Sequence, residues 1–124
     1  MQPSHAFALT LRGDPQVNLG GVLRWLDRVD AEQQLRWRVD FLETTGPDDD
    51  ALGASLTDTR SLARLTEHQV IELSITGQRE KLAICCIILR DGASLDLLGR
   101  GELPTPFELG CRYDAFDPKA FGWE

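Results

Sequence analysis

The sequence predicts a single α+β domain over residues 1–124, a mainly antiparallel sheet of five to six strands with two helices packed against one face. Three observations lead there. Several stretches alternate apolar and polar residues with period two, one stretch repeats apolar residues at helical spacing, and one run is apolar on both of its faces. That run, Lys81 to Arg90, holds Leu82, Ile84, Cys86 and Ile88 on one side of an extended strand and Ala83, Cys85, Ile87 and Leu89 on the other. Its β-branched content and the Asp91-Gly92 turn that follows favour a strand deep in the sheet over a short buried helix.

Taken in order, Ala6 to Leu11 sets Phe7, Leu9 and Leu11 against Ala8 and Thr10, a strand with one buried face that ends at Arg12-Gly13-Asp14-Pro15. Asn18 is a favourable helix N-cap, and Leu19, Val22, Leu23, Leu26 and Val29 then share one face of a first helix over residues 19–29. Gly20 and Gly21 fall in its first turn, where they serve close packing or the approach of an anion to free amides.

From Leu35 a second strand places Leu35, Trp37, Val39 and Phe41 inward and Arg36, Arg38, Asp40 and Leu42 outward. Residues 44–50 read as a loop, and Ser55-Leu56-Thr57-Asp58 as the start of a short second helix ending near Glu67, with Leu62 and Leu65 toward the core. His68 to Thr76 is a strand with Ile71, Leu73 and Ile75 inward. Gly77 to Glu80 turns into the central strand, and Ser94 to Leu98 completes a three-stranded antiparallel meander. Phe107 to Tyr113 alternates as a last strand, and Asp117-Pro118 opens one helical turn. The aromatics Phe116, Phe121 and Trp123 fold back onto the core or offer an anchor to a partner.

If one sheet face were left to solvent, the central strand would expose half of its apolar residues. Cover is therefore expected from the second helix, the aromatic tail or a second subunit.

Composition bounds the function. Twenty acids against thirteen bases give a net charge of −7, and the bases, eleven of them arginine, are interspersed with acids. This disfavours a nucleic-acid partner and favours a basic one. No run approaches the roughly 18–20 apolar residues of a membrane span, and the start lacks the pattern of a signal peptide, so no membrane partner and a cytoplasmic location are expected. The three cysteines, two of them adjacent, suit buried free thiols better than a disulfide. His5 and His68 fall in no metal or nucleophile motif, and no phosphate-binding or dinucleotide fingerprint is present, so neither a cofactor nor catalysis is expected.

The strongest local signal is charge. From Asp40 through Asp58 the chain carries six acids and no base. Asp48, Asp49 and Asp50 in the loop, with Asp40 and Glu43 beside them and Trp123 as an anchor, form the expected partner-binding set. The spacing does not fit an EF-hand. These residues lead to the expectation of a small acidic binding module, an inhibitor of the immunity-protein type that blocks the active site of a cationic bacterial toxin or enzyme. The alternatives are a nucleic-acid mimic of the anti-restriction or anti-CRISPR type, with acids in two rows at phosphate-like spacing, and a homodimeric or small-ligand domain with an apolar pocket near Trp25 and Trp37. Monomer and homodimer both remain compatible with the sequence.

Overall fold

The structure, a computed structural model, describes residues 6–30, 34–46, 49–100 and 113–115. Strand β1 (Ala6–Leu11) leads through helix α1 (Pro15–Val29) to β2 (Arg36–Thr44). Helix α2 (Asp49–Ser55) and a 3-10 helix (Arg60–Glu67) follow, then β3 (Val70–Arg79), β4 (Leu82–Arg90), β5 (Ser94–Arg100) and β6 (Tyr113–Ala115). The strands form one sheet in the order β2-β3-β4-β5-β1-β6, every neighbouring pair antiparallel. This is the expected α+β architecture, with β3, β4 and β5 as the meander and β1 returned beside β5. The predicted strand from Phe107 and the helical turn at Pro118 lie outside the described residues, apart from Tyr113. No helix among the described residues is long and apolar enough to cross a membrane.

Helix α1 starts four residues before the expected Leu19. The Asp14 carboxylate accepts the amides of Gln16 at 2.9 Å and Val17 at 3.4 Å, and Pro15 supplies a preset φ at a position whose N–H is not needed. Asn18, the predicted cap, instead donates to the Arg12 carbonyl. The glycines are therefore inside the helix and not at an open amide terminus. Gln16 ties the start of α1 to the entry of β3, donating to the His68 carbonyl and accepting the Val70 amide.

The predicted second helix is a 3-10 helix, which has three residues per turn, so Leu62 and Leu65 lie one above the other and both are fully buried. It is preceded by a reciprocal turn in which Asp58 accepts the Ser61 amide at 2.8 Å and the Ser61 hydroxyl donates to the Asp58 carbonyl at 2.7 Å. Helix α2 occupies part of the stretch read as loop. Gly53 faces Val39 and Leu42, so α2 sits on the same side of the sheet as the rest of the helical layer.

Three register shifts correct the predicted alternation. Asp40 is an extra residue between Val39 and Phe41, Ile71 between Val70 and Glu72, and Ile84 between Ala83 and Cys85. Each bulge moves the strand's side chains to the other face from that point on. In β4 both Ile84 and Cys85 enter the main core, while Ala83, Cys86 and Ile88 take the opposite face. In β3 Val70 is buried and Ile71 is not. In β2 the bulge sends Leu42 toward the core and expels Phe41, which is 54% exposed.

Gly77, expected in a turn, lies inside β3, where a Cβ would stand 3.0 Å from the Trp37 ring. The turn is made by Glu80 and Lys81, both at positive φ.

The main core lies between the sheet and the helical layer and includes Trp25, Leu26, Leu56, Ile75, Ile87 and Leu97. The other face carries a smaller cluster, Cys86 and Leu98 with Ala8, Ala83 and Ile88 against them. The predicted second helix, the 3-10 helix, is not its cover, because Leu62 and Leu65 belong to the main core on the helical side, as does Leu52 of α2. The aromatic tail lies outside the described residues.

Candidate functional site

The acid-rich stretch runs along the outer edge of the sheet. Among the described residues β2 is the first strand in the order, so its backbone has only β3 as a full partner. The edge is closed at its start, where Trp37 donates its amide to the Thr57 carbonyl at 3.0 Å and Arg36 bridges to Asp58. From Val39 to Glu43 no other strand pairs with this edge among the described residues. There the edge and α2 enclose a groove of about 470 Å³ lined by Val39, Asp40, Phe41, Leu42, Asp50, Gly53 and Ala54.

Two of the predicted site residues, Asp40 and Asp50, meet in this groove. Asp40 is already engaged: one carboxylate oxygen pairs with Arg38 at 2.7 Å and the other accepts the Thr76 hydroxyl at 2.8 Å. The pair is half exposed, so it fixes the bulge more than it stabilises the fold. Asp50 is exposed and makes no ion pair among the described residues. It stands in the first turn of α2, where the free amides favour negative charge.

Glu43 lies further along β2, directly opposite Glu72. Two like charges facing each other across a ladder destabilise it. Glu72 is occupied by the Asp91 amide at 2.7 Å, which leaves Glu43 as the carboxylate turned to solvent. Asp49 is the first residue of α2. Asp48 and Trp123 lie outside the described residues. Asp58 has a local task instead. The Ser61 amide, then the Ser61 hydroxyl, hold its carboxyl below the ordinary value of 3.8.

Phe41 is the residue that sequence reasoning missed. Strict alternation placed it in the core, yet it is one of two large apolar side chains exposed among the described residues, the other being Val17. The signal was present: Phe41-Leu42 breaks the period with two adjacent apolar residues, as Val70-Ile71 does at the bulge in β3.

Other chemistries find less support in the described residues. Burial raises the Cys85 thiol well above its ordinary value and raises Cys86 to about 11, so neither is a ready nucleophile. Cys111 lies outside the described residues. No three of the described His, Cys, Asp and Glu residues are placed to hold a metal ion. Trp25 and Trp37 are both buried, the Trp37 indole donating to the Thr59 hydroxyl at 2.8 Å, and they do not line the groove.

Among the described residues, fold and site together define an α+β sheet with its helices on one face and an acidic, aromatic-tipped groove at the β2 edge. Comparison with protein-family models, with curated proteins and with solved structures finds no match.

Proposed function

We propose that this chain is a small protein-binding module that acts without catalysis and presents the open half of β2 to a basic protein. The most concrete form is an inhibitor of the immunity-protein type, which covers the cationic active site of a toxin or enzyme. The observation that carries this reading is the junction of Phe41, exposed beside Asp40 and Asp50, with a stretch of six acids and no base. Carboxylates raise the rate of encounter with a basic surface, and a projecting aromatic side chain then supplies desolvated contact that slows departure.

A nucleic-acid mimic receives less support. The Arg38–Asp40 and Arg90–Asp96 pairs interrupt the acids of the sheet face opposite the main core, where a mimic needs an unbroken row.

The test begins with capture of partners from the native host and proceeds to association kinetics with the one recovered. Replacing Asp48, Asp49 and Asp50 together by Lys is expected to slow association by about tenfold or more at low salt and to flatten its salt dependence. Unchanged kinetics remove the acidic stretch from the interface.

A further inference from the structure

A second cleft carries the reverse charge of the acidic groove. It lies between α1 and the 3-10 helix, has a volume of about 290 Å³, and is lined by Leu23 and Ala63 together with Gly20, Arg24, Asp27, Thr59 and Arg60. Within a chain of net charge −7, this spot carries two guanidinium groups against one carboxylate. Neither Arg24 nor Arg60 forms an ion pair among the described residues; Arg60 exerts only a weak attraction on Asp58. Thr59 is buried, and its oxygen accepts the Trp37 indole N–H, so its own hydroxyl hydrogen is left to donate. The cleft thus offers an excess of donors beside an apolar floor.

Gly20 supplies the second argument. It sits inside α1, where glycine weakens a helix, yet among the described residues a Cβ there would meet only the flexible end of Arg24, at 3.4 Å. No backbone contact requires a glycine. What its missing side chain preserves is the space of the cleft.

We propose that the cleft between α1 and the 3-10 helix binds a small monocarboxylate with an apolar body. The carboxylate is held by Arg24, Arg60 and the Thr59 hydroxyl, and the hydrocarbon lies on Leu23 and Ala63. The net single positive charge of the walls matches a monoanion, and the apolar floor selects a carboxylic acid over inorganic phosphate. Asp27 opposes the charge of the ligand and keeps the affinity modest.

The test is an amide NMR titration of the full chain with octanoate, with inorganic phosphate and octylamine as comparison probes. Octanoate at up to about 10 mM is expected to shift the Gly20, Thr59 and Ala63 amides saturably. Arg24→Gln with Arg60→Gln is expected to weaken binding about tenfold or more, and Asp27→Asn to strengthen it several-fold. Gly20→Leu is expected to raise the melting temperature while abolishing binding, which separates a filled cleft from a misfolded chain. The proposal is overturned if octanoate does not saturate these amides, if the double arginine variant binds equally well, or if phosphate or octylamine binds as tightly.

Discussion

Strands β4 and β2 carry the same backbone device with opposite results. In β4 the bulge at Ile84 brings one more apolar side chain into the core, and Ile84 and Cys85 are both fully buried. In β2 the bulge at Asp40 turns Phe41 out, where it is 54% exposed. The difference lies in the neighbours. β4 has a strand on each side and belongs to the main core, so an extra apolar residue finds contact; among the described residues β2 has one strand and a short helix over its edge. At the edge the chain forgoes burial, and the side chain released is an aromatic beside carboxylates. That contrast is the basis for assigning stability to β4 and for proposing recognition at β2.

The largest expected effect tests the β4 side. Ile84→Ala should lower stability in urea denaturation by about 2–4 kcal/mol, because the side chain is enclosed and its cavity cannot refill from solvent. A loss below roughly 1 kcal/mol would mean that the bulge does not bury Ile84.

A smaller effect of opposite sign is expected in β2. Glu43 faces Glu72 across the ladder, so Glu43→Lys should stabilise the protein by about 0.2–1 kcal/mol and at the same time weaken binding of a basic partner. Gain in stability with loss of binding is the pattern of a residue kept for recognition. A destabilised variant would show instead that Glu43 supports the fold.

The smallest effect concerns the turn that closes the first half of the β2 edge. The folded-state pKa of Asp58 is lowered, so its contribution is present above the ordinary value of 3.8 and is lost as pH falls through the folded value. The stability difference between the protein and Asp58→Asn, followed by urea denaturation across pH, should therefore be present near neutrality and vanish in acid. A difference that grows on acidification would contradict the Ser61 hydrogen bonds as its cause.

The same three bulges divide what the sequence could reveal. The meander and the helical face of α1 are written in periodic runs and the central place of β4 in a run apolar on both faces, and each element is found at its expected place in the order, although the bulges reset which side chains face the core. The start of α1 was misplaced because two caps compete. Asp14-Pro15 also reads as a turn, and only the tertiary structure shows Asn18 occupied by Arg12. Bulges are harder to read, since one extra residue inverts every later side chain while leaving composition unchanged. Phe41 was lost to the site for that reason, although the acids around it were legible from charge alone. The pairing of Asp40 with Arg38 follows from neighbouring positions on one strand face, but the opposition of Glu43 and Glu72 depends on the register of β2 against β3, which no local pattern specifies.

The most direct measurement is a paired one on Phe41→Ala, with urea denaturation for stability and dissociation kinetics for the captured basic partner. If β2 presents this side chain for recognition, stability changes by less than about 0.5 kcal/mol while dissociation quickens roughly tenfold or more. A variant that loses about 2 kcal/mol or more of stability and releases its partner at the original rate would return Phe41 to the core and contradict the account.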